Sequence, residues 1–232
     1  MSLSPAIKLT GANDEHGWVH VYEYAPPTDS LHSSRGDLYV LVSLKLDTSI
    51  ELGVHSRNTS LSVVSEIGSA IRDYYYESTE ESLYSAQRKA LERVFESNMF
   101  GESLEVCVLV LMGENVYLSA FGGGIFGIVR DGRFMKVLEG MPLQVTSASG
   151  VLQAQDTCVF GTMQFMGRIS KKIDTLFENG KIDHDALLAL CGEENASRTG
   201  VLIKKYGGQA SLLPVRLSAP TFVWRDKIVA RL

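Results

Sequence analysis

The stretch 105–136, EVCVLVLMGENVYLSAFGGGIFGIVRDGRFMK, contains four apolar runs separated by glycine-containing breaks. Val106–Met112 and Val116–Phe121 flank the first break, and Ile125–Val129 precedes an Asp-Gly turn. Apolar runs of this length with glycine-containing turns between them are typical of antiparallel hairpins. We therefore predict a meander of antiparallel strands at the centre of the core, with the remaining elements packed on it.

Further strands are predicted on both sides of this meander, where β-branched and aromatic residues are concentrated. They are Ala6–Leu9, Trp18–Tyr24, Leu38–Leu44, Asp156–Gly161 and Gly200–Lys204. Ser147–Gly150, which contains only small residues, is predicted to be a turn.

Two amphipathic helices are predicted before the meander, because apolar residues recur there at three- and four-residue spacing. The first carries Leu61, Val64, Ile67, Gly68, Ile71 and Tyr75, and the second carries Leu83, Ala86, Gln87, Ala90, Val94 and Phe95. The pair Ser78 and Glu81 has the spacing of a capping box at the start of the second helix. Further helices are predicted around 169–177 and after Asp183. Two helices followed by antiparallel strands indicate a helix layer on a sheet.

Composition excludes several classes of protein. The chain has 232 residues, 45% of them hydrophobic and 21% charged, which fits one globular domain and argues against disorder. A net charge of −5 disfavours nucleic-acid binding, since phosphate contacts need a basic surface. No apolar run is long enough to span a bilayer, and the N-terminus does not resemble a signal peptide.

Three cysteines, Cys107, Cys158 and Cys191, are widely spaced. Neither a disulfide pairing nor a metal-binding spacing is evident, so buried free thiols in a reducing compartment are expected. We therefore expect the protein to be cytoplasmic. The regular pattern weakens after Lys205, and we divide the chain into a domain over 1–205 and a C-terminal segment over 206–232. An edge strand, a linker and a partner-binding arm all remain open for that segment.

The order of these elements resembles that of the metal-dependent PPM-type serine/threonine phosphatases over roughly residues 6–205. The segment 122–132, GGGIFGIVRDG, matches the spacing of the family's Gly-Asp-Ser-Arg strand start and its hairpin turn. The segment 156–165, DTCVFGTMQF, is similar to the family's Asp, apolar strand and Thr-Asp-Gly. The resemblance implies an α+β fold, a four-layer α-β-β-α sandwich of two antiparallel sheets flanked by helices.

The resemblance also implies four metal-binding positions, and none of them carries a carboxylate here. Leu44, Gly123, Met163 and Ser197 stand where the family has aspartates or an Asp-Asn pair. Thr162 is kept. Divalent metal ions such as magnesium and manganese need hard oxygen ligands, which aliphatic, glycine and thioether side chains cannot supply. We expect no catalytic residue, no bound metal ion and a binding cleft lined by Leu44, Gly122, Gly123, Gly124, Thr162 and Met163.

These substitutions favour a pseudophosphatase, a catalytically inactive relative that acts in signalling by binding a protein partner. The alternative is an active phosphatase or other hydrolase that uses manganese or magnesium on relocated ligands, for which the candidates are Asp37, Asp47, Asp156, Glu193 and Glu194. A phosphate-binding function of Gly122–Gly124 is disfavoured because a strand, not a helix, follows the glycines. We expect these glycines instead to permit close approach of two sheets or a bulge.

Overall fold

The computed structural model describes residues 7–10, 17–26, 30, 32–45, 56–96, 104–169, 172, 176, 185–187, 189 and 200–205. Ten strands and three helices are bounded within these ranges. The strands are β1 (Ile7–Thr10), β2 (Gly17–Tyr24), β3 (Asp37–Lys45), β4 (Leu104–Met112), β5 (Asn115–Phe121), β6 (Ile125–Arg130), β7 (Arg133–Glu139), β8 (Thr146–Val151), β9 (Thr157–Gly161) and β10 (Gly200–Lys205). The helices are α1 (Ser56–Tyr76), α2 (Leu83–Glu96) and α3 (Met163–Ile169).

The strands form two five-stranded antiparallel sheets. The first has the order β1-β10-β9-β6-β7, and the second has the order β2-β3-β4-β5-β8. We call them sheet I and sheet II. The prediction of one continuous meander is therefore wrong, because β4 and β5 lie in sheet II whereas β6 and β7 lie in sheet I. Its individual strands and turns are confirmed, and the chain crosses between the sheets at Gly122–Gly124.

Three apolar clusters separate four layers, which confirms the predicted α-β-β-α sandwich. In β3 the side chains alternate, so that Val40 and Val42 pack against α1 and α2 whereas Tyr39 and Leu41 face sheet I. On the far side of sheet I, Val159 packs against Phe165 and its neighbours in α3. Among the described helices, none is sufficiently long and apolar to cross a membrane.

Helix α2 has the predicted buried face, but its start differs from the prediction. The Ser78 hydroxyl accepts a hydrogen bond from the Glu80 amide at 3.2 Å, which is a local turn, and the helix begins only at Leu83. The capping box of Ser78 and Glu81 is therefore wrong. In α1 the predicted apolar face is buried except for Leu61, which is 42% exposed. Tyr75 is fully buried at the end of α1 and its hydroxyl donates to the Arg35 carbonyl oxygen.

Two more predictions concern residues outside the helices. The predicted turn at Ser147–Gly150 is wrong, because these residues lie in β8 and pair with β5. Cys107 and Cys158 are buried free thiols, as expected, whereas Cys191 lies outside the described residues. Burial raises the pKa of the Cys158 thiol to about 12. Three further predictions lie outside the described ranges. They are the helix end near residue 180, the part of the helix after Asp183 that is not described, and the segment 206–232.

Candidate functional site

The candidate site lies at the end of the sandwich where the chain passes from sheet II to sheet I. Gly122 has a φ of 75°, and a Cβ atom on it would overlap the Leu104 carbonyl oxygen. Gly124 lies against Cys107, whose thiol points to the Gly161 carbonyl oxygen at 3.9 Å across the two sheets. The glycines therefore allow the close approach of the two sheets that the sequence predicts.

Glu105, at the start of β4, is an acidic residue at this end of the sandwich. One of its carboxylate oxygens accepts a hydrogen bond from the Met163 amide at 3.0 Å. Because Met163 is the first residue of α3, the carboxylate lies at the positive end of a short helix. The contact joins sheet II to the segment that follows the central strand of sheet I.

Thr162 completes the start of α3. It is 1% exposed, and its hydroxyl accepts a hydrogen bond from the Phe165 amide at 3.4 Å. Its carbonyl oxygen accepts a bond from the Met166 amide at 3.0 Å. Thr162 therefore acts as the N-cap of the helix.

Gly123 is closely surrounded by the same groups. A Cβ atom built on it would lie 3.0 Å from the carboxyl carbon of Glu105 and 3.2 Å from the Cβ of Met163. Both separations are tighter than nine in ten real Cβ contacts, so an aspartate at this position would require its neighbours to move by a few tenths of an ångström. The space beside the glycine is therefore filled by this chain's own side chains.

Leu44 is close to this end along the chain, but its side chain faces the other way. It is 2% exposed and packs in the cluster between sheet II and the helices. In the ladder of β3 and β4, Leu44 lies opposite Leu104, whereas Ser43 lies opposite Glu105. Ser43 is therefore the β3 residue directly opposite Glu105, and because side chains alternate along a strand, the two side chains lie on the same face of the sheet.

The structure thus brings together Gly122, Gly123, Gly124, Thr162 and Met163 from the predicted cleft. It directs Leu44 into the helix-facing core. Sequence reasoning missed Glu105, although a signal for it existed, since it is the one charged residue in the run 104–112. Ser197 lies outside the described residues.

The relocated metal ligands considered from the sequence are not gathered here. Asp156 is 1% exposed and forms a bidentate ion pair with Arg130 at 2.6 and 2.8 Å. Asp156 immediately precedes β9, and this five-residue strand separates Asp156 from Thr162 by about 17 Å. Asp37 is the first residue of β3, so it lies at the other end of that strand from Leu44.

The remaining candidates, Asp47, Glu193 and Glu194, lie outside the described residues. Within the described ranges, no three His, Cys, Asp or Glu side chains are placed to hold a metal ion together. The described donors around Gly123, which are one carboxylate already bonded to an amide and a thioether, do not fit a pair of hard divalent cations.

Two antiparallel sheets stacked between helix layers are the fold that the resemblance to the PPM-type phosphatases implies. No protein-family model and no curated protein matches the sequence. Solved structures do match. The serine/threonine phosphatase PstP of Mycobacterium tuberculosis superposes with a TM-score of 0.59 and 12% identity, over 88% of this chain and 98% of that one.

Two further structures support the same fold. The PPM phosphatase MsPP of Mycobacterium smegmatis matches with a TM-score of 0.56 and 10% identity, over 90% of this chain and 100% of its own. The phosphatase domain of SpoIIE from Bacillus subtilis matches with a TM-score of 0.52 and 13% identity, over 90% and 94% of the two chains. A crystal structure of the PstP catalytic domain holds two manganese ions. At these identities the likeness shows the fold alone.

Proposed function

We propose that this chain is a pseudophosphatase, a domain of the PPM phosphatase fold that does not catalyse phosphate-ester hydrolysis and acts by binding a protein partner in signalling. The observation that carries the proposal is the packing around Gly123. A Cβ atom on Gly123 would lie 3.0 Å from the Glu105 carboxyl carbon and 3.2 Å from the Met163 Cβ, so a metal-binding carboxylate there would have to displace these groups, and the Glu105 carboxylate is bonded to the α3 amide. We also propose residues 1–205 as the domain and the cytoplasm as its location.

The electrostatics of the site support the same function. Stabilising the charge of a transferring phosphoryl group requires cations or a cluster of donors close to it. The described charged residues at this end of the sandwich include Glu105 and Glu139, whose carboxylates would repel a phosphate, and Lys45, the exposed last residue of β3. Arg35 precedes β3 at the opposite end of that strand, and its guanidinium donates to the Ser78 carbonyl oxygen.

A phosphatase assay with manganese or magnesium tests the proposal. The expected result is no turnover of p-nitrophenyl phosphate or phosphopeptides above a metal-only blank, and no heat of manganese binding by titration calorimetry. Metal-dependent turnover that is abolished in Asp47→Asn or in Glu105→Gln would overturn the proposal and favour the relocated-ligand hydrolase. Ser62→Ala, an exposed change on α1, serves as the control for preparation-dependent contamination.

A further inference from the structure

Strand β8 forms one edge of sheet II and carries no charged side chain. It pairs with β5 on one side, and no strand of the described residues pairs with its other side, where the Tyr84 hydroxyl donates to the Ser147 carbonyl oxygen at 3.4 Å. The other three sheet edges of the described chain are β1, β2 and β7, and they carry Lys8, Glu23 and Arg133, respectively. Charged side chains on an edge strand discourage pairing with another chain. The edge formed by β8 lacks this protection.

Large apolar side chains are exposed at both ends of β8. Val151, its last residue, is 49% exposed. Before its first residue, the turn of Met141 and Leu143 exposes these side chains by 52% and 61%. Leu143 has a φ of 58°, which is costly for a side chain other than glycine or asparagine. The chain therefore holds an exposed leucine in a strained turn beside an open edge.

The faces of β8 limit how a second copy of the strand can pair with it. Val145 packs against the helix-facing cluster, and the Ser147 hydroxyl contacts that of Ser119 at 2.8 Å. Odd-numbered residues of β8 thus share the helix face, and even-numbered residues face sheet I. A two-fold axis perpendicular to the sheet keeps each face on the same side in both copies. Only residues of the same face can then lie opposite each other.

We propose that this chain forms a symmetric homodimer by antiparallel pairing of β8 with β8 of a second copy, centred on Ala148. In this register Ser147 lies opposite Ser149 of the second copy, and Val145 lies opposite its Val151. The two valine contacts, one at each end, cover the exposed Val151 side chains. No charged residue lies opposite another along the paired strands, and the interface is isologous, as a two-fold requires.

A second copy fits this edge better than an unrelated peptide does. An extended peptide would bond to the outward-facing backbone groups of β8, of which the Ser147 carbonyl oxygen has room for a second donor beside Tyr84, but it would meet Val145 and Val151 with whatever side chains it carries. The second copy supplies Val151 to Val145 at both ends and brings the turn of Met141 and Leu143 to each end of the pairing. The dimer does not depend on whether the domain is catalytic, so its test is independent of the phosphatase assay.

Sedimentation equilibrium of the full chain over a wide concentration range tests the dimer. The wild type is expected to shift from the monomer mass to twice that mass as its concentration rises. Val151→Lys should weaken dimerisation by about tenfold or more, since it removes both valine contacts and places a charge on the edge. Leu61→Lys is the matched control, because Leu61 is a similarly exposed apolar residue on α1, and it should leave the dimer unchanged.

Disulfide trapping tests the register. Ala148→Cys places the same residue on both sides of the axis, and mild oxidation should give a disulfide-linked dimer. Ser147→Cys, which lies opposite Ser149 in the second copy, should give far less, and the wild type shows the background from the native cysteines. A monomer at every concentration, as when residues 206–232 or another segment cover the edge, overturns the proposal. Equal loss of dimer in the Val151 and Leu61 variants also overturns it.

Discussion

Replacement of Gly124 by alanine tests the close approach of the two sheets at the candidate site. A methyl carbon there would lie closer than 3.0 Å to the Cys107 sulfur, a separation that real Cβ atoms essentially never show. The φ of Gly124 is not positive, so the backbone itself accepts alanine. Overpacking of this kind costs about 1–3 kcal/mol of unfolding free energy. We expect Gly124→Ala to destabilise the protein by that amount.

A second substitution makes this prediction specific. Apart from the Cys107 sulfur, the nearest atom to the added methyl group is the Gly161 carbonyl oxygen, at 3.9 Å. Cys107→Ala therefore removes the whole clash. Alone, Cys107→Ala should lower the unfolding free energy by roughly 0.5–1.5 kcal/mol, as expected for the loss of one buried heavy atom. Combined with Gly124→Ala, the added methyl group fills the vacated space. The double variant should be more stable than Gly124→Ala alone.

Urea unfolding followed by circular dichroism measures all four proteins of this cycle. The effects of the two changes on the unfolding free energy should deviate from additivity by about 1 kcal/mol or more. Independent sites deviate by no more than about 0.5 kcal/mol. Gly167→Ala is the matched control, because a methyl group added there on α3 would have no neighbouring atom within 4 Å. It should stabilise the protein by about 0.5–1 kcal/mol through helix propensity and be additive with Cys107→Ala. Additive effects of Gly124→Ala and Cys107→Ala would refute the inferred contact between the sheets.

Four other predictions concern buried groups. Asp156→Ala should destabilise the fold by about 3–5 kcal/mol, because it removes the buried carboxylate that binds the Arg130 guanidinium and the Gln153 amide, and the double variant with Arg130→Met should lose less in urea unfolding. Peptide mapping after iodoacetamide treatment should find Cys107 and Cys158 unlabelled in the native protein and labelled in urea. Because the pKa of Cys158 is raised from 9.0 to about 12, its native thiol stays neutral while the unfolded thiol ionises, so the unfolding free energy should fall as pH rises above 9. Leu44→Asp should destabilise the protein by more than about 3 kcal/mol with or without manganese, and manganese-dependent recovery in a thermal melt would contradict the direction of its side chain.

The strands of the sandwich are predictable where burial dominates the local sequence. The apolar pattern predicts β3 as Leu38–Leu44, and the strand spans Asp37–Lys45, because both of its faces are buried and its residues are apolar almost throughout. The sequence of β8 instead predicts a turn, since serine and glycine are typical turn residues. Its ladder with β5, which is a long-range pairing, overrides that local preference.

The division into two sheets cannot be predicted from the hairpins themselves. β4–β5 and β6–β7 have the same pattern of apolar runs whether they extend one sheet or belong to two. The choice depends on the crossing at Gly122–Gly124, where Gly124 must fit against Cys107 of the other sheet. The sequence indicates a close approach at these glycines, but the layer to which each hairpin belongs follows from tertiary packing.

The candidate site shows why a family resemblance transfers to residues less safely than to a fold. A shift of one residue along a strand moves a side chain to the opposite face of the sheet. The matched position in β3 is Leu44, which faces the helices, whereas Ser43 shares the face of Glu105. In this chain the Glu105 carboxylate accepts a hydrogen bond from the Met163 amide, so this contact joins sheet II to the start of α3 at this end of the sandwich. A carboxylate placed next to Gly123 would therefore compete with this bond before it could ligate a metal ion.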